Sequence, residues 1–242
     1  MEKEEFEKIF KKYAKEISID LNQDQIDKFY TYMNLLLEWN EKINLTAITD
    51  EEEIFVKHFV DCLYCAKYIT KEDKKIIDVG TGAGFPGLVL AIYFPDKEFT
   101  LLDALNKRLV FLEDVINKLG LKNVKLVHGR AEEIVRIDNL YENYDIAVSR
   151  AVAQLPILLE YISPYIKVNG KCIVMKGDNV DEEIKVSSNA LKVLNLKLLR
   201  KNLYSYNVKN EEYKRSILEI EKINETPKKY PRNYGKIKKK PL

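Results

Sequence analysis

The segment IIDVGTGAGFPG, Ile76 to Gly87, admits few folds. A short apolar, β-branched run that passes straight into closely spaced glycines is a strand ending in a tight turn, where backbone must approach a ligand or a neighbouring element closely. Further apolar runs follow it, FTLLDA, VKLVHG, YDIAVSR and GKCIVMKG, separated by helix-length segments such as NKRLVFLEDVINKLG and AQLPILLEYISPYIKVNG. This βαβ rhythm predicts an α/β fold with a mostly parallel sheet. NLKLLRKNLYSYN and EYKRSILEIEKI are expected to pair around VKNE as a terminal antiparallel hairpin.

The first 70 residues have a different texture. Apolar residues recur at helical spacing, Phe6, Ile9, Phe10 and Tyr13, then Ile26, Phe29, Met33, Leu36 and Leu37. Asn22 and Asp50 stand where N-caps open a second and a third helix, with NEKINLTAIT as the connecting loop. The expected organisation is a helical region at 1–70 packed on a core domain at 71–242. The last stretch, TPKKYPRNYGKIKKKPL, reads as an extended or mobile basic tail.

A chain of 242 residues, 46% of them hydrophobic, buries a sizeable core. Its 40 basic residues nearly cancel 38 acidic ones, so net charge alone does not declare a nucleic-acid binder. Three cysteines make no disulfide framework, which points to a reducing cytoplasm. The opening MEKEEFEKIF is acidic and amphipathic, unlike a secretory leader, and no segment has the length and hydropathy of a membrane span.

The glycine loop reads D-x-G-x-G-x-G through Asp78, Gly80, Gly82 and Gly84, and Gly82, Gly84 and Gly87 also spell G-x-G-x-x-G. Both patterns suit nucleoside cofactors at the carboxyl edge of a sheet. Asp103 ends the next strand, where a carboxylate accepts hydrogen bonds from both ribose hydroxyls. NAD would require a second mononucleotide half, for which the chain has no room, and Asp78 suits amino and sulfonium charge better than phosphate. S-adenosylmethionine is therefore the expected cofactor. GRAEEI places Ala131 and Glu132 beside the adenine, and Phe85 is expected to wall the pocket.

These stretches, with LLEWNEKINLTAIT, KHFVDCL, LLDALNKRLVFLEDV, SRAVA, MKG and KINETPKKYPRNYGKIKKKPL, resemble the RsmG (GidB) family of class I methyltransferases over nearly the whole chain. The resemblance implies a Rossmann-like, seven-stranded fold and methylation of N7 of one guanine, at rRNA position 527, in 16S ribosomal RNA of the small subunit. It also implies that Gly80, Phe85, Ala131, Glu132 and Arg150 line the S-adenosylmethionine pocket, with Asp103 on the ribose.

The chemistry of the target agrees. SRAVAQLP lacks the Asn/Asp-Pro-Pro-aromatic segment common to exocyclic amine methylation, and no cysteine is placed for attack on a pyrimidine ring. Guanine N7 carries a lone pair and no proton, so no general base is required, and Arg150 or Lys176 can donate to O6 and orient the base. Arg130, Lys176, Lys228, Lys229 and Arg232 are candidate RNA contacts. Cys62 and Cys65 read as buried helix residues and His58, beside Asp61 at i, i+3, as a packing residue, since His128 is the only other histidine and no metal set forms. A monomer is expected. Rival readings are an NAD(P) oxidoreductase, a methyltransferase of another RNA or of a small molecule, and a non-catalytic ribosome-assembly protein; naked rRNA and assembled subunit stay open as substrates.

Overall fold

The computed structural model describes residues 1–137 and 139–242. Strands β1 (Lys75–Val79), β2 (Glu98–Asp103), β3 (Val124–His128), β4 (Tyr144–Arg150), β5 (Ile166–Gly177), β6 (Leu196–Val208) and β7 (Glu211–Lys222) form a seven-stranded sheet of order β3-β2-β1-β4-β5-β7-β6. β1 to β5 pair in parallel, and β7 pairs antiparallel with both β5 and β6. The β6–β7 hairpin turns at Lys209 and Asn210, both at positive φ (48° and 68°), the geometry of the tight turns that match strand twist.

Side-chain alternation gives the sheet two buried faces. Ile76, Leu101, Ile146, Val148, Ile173 and Met175 face one apolar core. Their neighbours Ile77, Leu102, Ala147, Cys172 and Val174 face the other.

The first face is covered by α1 (Lys3–Glu16), α2 (Gln23–Ile43), α5 (Gly87–Tyr93) and α6 (Asn106–Leu119). Asn22 and Gln25 form a reciprocal capping box that opens α2, and Asn44 closes it in the left-handed conformation. Phe6, Phe10, Phe29, Phe55 and Phe59 meet mostly edge to face at 5.2 to 6.3 Å and join the N-terminal helices into one core with the sheet. The expected third helix does start at Asp50, which accepts from Glu53 N–H at 3.0 Å, but it is irregular. It runs as α3 (Glu51–Ile54), a π-helical turn (Phe55–Val60), α4 (Asp61–Leu63) and a 3-10 turn (Tyr64–Tyr68).

On the second face lie α7 (Ala131–Ile134), α8 (Leu155–Ile162), α9 (Asp181–Val186), α10 (Ser188–Val193) and α11 (Tyr234–Lys239). The last of these corrects the expectation of an extended or mobile tail. Tyr230 and Ile237 are buried in the second core, and the Arg136 guanidinium donates to the carbonyls of Lys228 and Tyr230 at 2.9 Å. Arg232, expected on RNA, instead makes a forked pair with Glu160 of α8: Nη2 to Oε2 at 2.6 Å and Nε to Oε1 at 2.8 Å. Glu160 is fully buried, so the carboxylate requires this partner. Thus Arg232→Ala is expected to cost about 3 kcal/mol in chemical unfolding, with much of the loss recovered when Glu160 is also replaced by Leu. A loss below about 0.5 kcal/mol, the level of an exposed pair, would show that the tail is not docked this way in solution.

Candidate active site

The site lies at the carboxyl edge of the sheet, where the order reverses between β1 and β4. β1 delivers Asp78, whose Oδ2 accepts from Thr81 Oγ1 and from Gly87 N–H, each at 2.7 Å, clasping both ends of the glycine loop. At Gly87 a Cβ would stand 2.6 Å from Asp78 Cβ, so only glycine lets α5 start this close to the strand. Gly80 has φ +77°, and a Cβ there would meet Val152 Cγ2 at 2.5 Å, so the turn is folded tightly under the loop that follows β4. The Tyr32 hydroxyl of α2 donates to the Ala83 carbonyl and pins the loop from the helical side.

Asp103, at the end of β2, reaches back into the same loop. Its Oδ2 accepts from Gly82 N–H at 2.9 Å and from Arg108 at 3.3 Å, and its Oδ1 accepts from Leu105 N–H at 2.8 Å. A ribose placed here must share or displace these donors. Beside them opens a cavity of about 390 Å³ whose wall includes Gly80, Leu102, Ala104, Ala131 and Glu132. Arg130 also lines it, held by Glu132 at 2.8 Å. Size, an apolar floor and a backbone cradle fit a nucleoside.

A second cavity, of about 600 Å³, shares Val152 and Ala153 with the first. Arg150 and Lys176 line this one and not the first. The Arg150 guanidinium donates from Nη1 to Asp61 Oδ2 at 3.0 Å and to the Lys57 carbonyl at 3.1 Å, and from Nη2 to His58 Nδ1 at 3.0 Å. Since Arg only donates, His58 Nδ1 accepts, and its proton sits on Nε2, facing Thr46 Oγ1 at 2.9 Å. Burial, helped by the Arg150 charge, pulls the His58 pKa down to about 3, so the imidazole is neutral. Phe85 is buried between these elements, stacked on His58 at 4.5 Å and under Arg150 at 4.9 Å. Lys176 Nζ donates to the Ala153 carbonyl and meets Glu183, both at 2.7 Å.

The structure therefore brings Gly80, Arg130, Ala131 and Glu132 together, sets Gly82 and Asp103 in the loop lattice beside them, and puts Arg150 and Lys176 next door. Lys228 and Lys229 are exposed and line neither cavity. All three cysteines are free and buried, and burial pushes the Cys172 thiol up to about 12, which leaves it inert. Sequence reasoning missed His58 and Asp61 as partners of Arg150, and also Glu183, Arg215, Tyr234 and Lys238 as wall residues. The i, i+3 spacing of His58 and Asp61 was the only local signal, because Arg150 lies 89 residues beyond Asp61.

A switch-point loop of this kind on a 3-2-1-4-5-7-6 sheet defines the class I methyltransferase fold. Among solved structures, M. jannaschii TYW2 in complex with AdoMet aligns at TM-score 0.51 and 14% identity, covering 85% of this chain and 80% of its own. P. horikoshii TYW2 in complex with MeSAdo aligns at 0.52 and 13%, covering 66% and 61%. At the level of family, the model GidB, rRNA small subunit methyltransferase G, matches residues 25–229, and the chain belongs to that family. It is 50% identical over 235 residues to the ribosomal RNA small subunit methyltransferase G of Clostridium perfringens, covering 97% of this chain and 98% of the relative. The namesake of Alkaliphilus metalliredigens is 48% identical over 236 residues, covering 97% and 98%.

Asp78 carries a measurable signature. Burial raises its pKa from 3.8 to about 7, and its Oδ1 finds no hydrogen-bond donor among the described residues. A carboxyl so raised stabilises the fold fully below pH about 4, and that contribution is lost as pH climbs to about 7. Asp78→Asn does not titrate, so the stability difference between it and the wild type is expected to move in favour of Asn between pH 4 and 8, by up to about 4 kcal/mol. A difference independent of pH would mean that Asp78 ionises as an ordinary carboxylate.

Proposed function

We propose that this chain transfers a methyl group from S-adenosylmethionine to N7 of a guanine in 16S ribosomal RNA. The observation that carries the reading is the junction of the two cavities at Val152 and Ala153, one sized for a nucleoside and the other lined by four cations, Lys57, Arg150, Lys176 and Arg215, against the carboxylates Asp61 and Glu183. A base in the second cavity would adjoin the first across Val152 and Ala153, and a cationic wall suits the phosphates that arrive with it.

The cofactor, when bound, supplies an electrophilic methyl on a sulfonium. Gly80, Gly82, Ala131 and Glu132 hold the nucleoside, with Asp103 on the ribose side. Phe85 acts at one remove, as the plate on which His58 and Arg150 rest. Arg150 contributes in the same indirect way to the cofactor side, and directly to the base, since its guanidinium is locked by three acceptors before any substrate arrives. Lys176 and Arg150 are the donors available to O6. His58 is neutral and already bonded through both ring nitrogens, so the second cavity has no histidine free to take a proton. Attack by an unprotonated ring nitrogen fits that wall, because it needs alignment and no base.

Residues 1–70 and 71–242 serve this together, the helical region supplying Lys57, His58 and Asp61 and the methyltransferase domain Arg150, Lys176 and the cofactor side. The protein works as a monomer in the cytoplasm, where its substrate is made. Among the described residues, no helix is long and apolar enough to cross a membrane.

Incubation with methyl-labelled S-adenosylmethionine and either 30S subunits or deproteinised 16S rRNA, followed by nucleoside analysis, is expected to yield 7-methylguanosine at one site. A different methylated nucleoside, or none with either substrate, overturns the reading. Lys228 and Lys229 are the RNA candidates left exposed in the tail. Replacing both with Ala is expected to reduce the slope of log affinity against log salt by about 1.5 for the RNA, at unchanged cofactor affinity. A wild-type slope would assign both lysines to solvent.

A further inference from the structure

The first cavity has a wall that comes from the far end of the chain. Tyr234 and Lys238, one helical turn apart on α11, line it together with Gly80 and Ala104. Their position is built rather than incidental. Arg232 is forked onto buried Glu160, Asn233 caps α11 by accepting from Lys236 N–H at 3.0 Å, and Ile237 is fully buried beneath the helix. With Ile237 anchored inward, Tyr234 and Lys238 can only flank the cavity, while Lys236, Lys239 and Lys240 remain exposed.

Tyr234 lies under the Arg130 guanidinium, 3.9 Å from ring centroid to Cζ, and Lys238 Nζ stands 5.7 Å from the same ring. Arg130 is itself fixed by Glu132, so a flat aromatic surface is held rigidly at the mouth of a nucleoside-sized space. Tyr234 is 40% exposed, so the residue keeps surface open to a ligand even with Arg130 and Lys238 over its ring. A π-face at such a mouth is the surface on which a purine stacks.

We propose that α11 is a working wall of the cofactor pocket: Tyr234 covers the adenosine portion by stacking, Lys238 closes the mouth, and docking of the C-terminal segment and retention of the cofactor are therefore linked. The inference rests on the assignment of the first cavity to S-adenosylmethionine. It moves part of the basic tail from the RNA to the cofactor, and it leaves Lys236 and Lys239 on the other side of the same helix, with Lys240 just beyond its end.

Titration calorimetry of the full chain with S-adenosylmethionine and S-adenosylhomocysteine tests it. Tyr234→Ala, at an exposed position where the fold does not depend on the side chain, is expected to weaken both ligands about tenfold, the scale of one base–aromatic stack. Tyr234→Phe keeps the ring and is expected to stay within about twofold of the wild type. Lys240→Ala, outside the cavity, is expected to bind as the wild type does. Saturating S-adenosylhomocysteine is also expected to slow tryptic release of the C-terminal lysines severalfold in the wild type but not in Tyr234→Ala. Wild-type affinity in Tyr234→Ala, or equal trypsin rates with and without ligand, overturns the inference while the cofactor assignment stands. Failure of the wild type to bind either ligand overturns the assignment itself.

Discussion

The buried pair between Arg150 and Asp61 is the interaction on which the site depends. Asp61 is only 3% exposed, and its second oxygen accepts from the Tyr204 hydroxyl of β6 at 2.8 Å. A carboxylate this deep is tolerated only with its partners in place, and those partners come from β4 and from the hairpin, while Asp61 itself belongs to the helical region. The pair therefore fixes three parts of the chain against one another at the edge where the cavities open. The π-helical turn at Phe55–Val60 contributes by placing the Lys57 carbonyl, His58 and Asp61 together on the Arg150 side.

From that anchor the chemistry follows by elimination of freedom. Arg150 is held by three acceptors, His58 cannot take up a proton near neutrality, and the Phe85 ring packs against both. The glycine loop is held as well. Asp78 and Asp103 divide that loop between them, one clasping its ends and the other holding the Gly82 amide. The turn is thus held by side chains from two neighbouring strands, and the loop is shaped before any cofactor enters.

Local pattern carried most of the fold. The parallel strands are legible as short apolar runs and the hairpin as two longer segments around VKNE, and Gly80, Ala131 and Glu132 line one cavity with Asp103 beside it. The helix caps Asn22 and Asp50 were equally legible, because capping is decided within four residues. What escaped notice depends on distant partners. Nothing near Asp61 indicates an arginine on β4, and Arg232 looks like any tail cation until Glu160 is seen buried beneath it. The tail itself misled because Tyr230 and Ile237 are isolated apolar residues among lysines, too few to show a helical period, yet two anchors suffice when a groove awaits them. The third helix was found but its π-helical turn was not, since that distortion is imposed by packing.

The hairpin has one more consequence. β6 is an edge strand of 13 residues, long enough to recruit a stranger's backbone, with Leu203 65% exposed along it. Two features blunt that edge: a bulge between Leu198 and Arg200, and the cations Lys197, Arg200 and Lys201 spaced along the strand. Copies of the chain meeting edge to edge would oppose charge with charge and mismatch their ladders. The same strand that supplies Tyr204 to the buried carboxylate thus also guards the protein against aggregation, leaving a crowded solution of identical molecules free to diffuse.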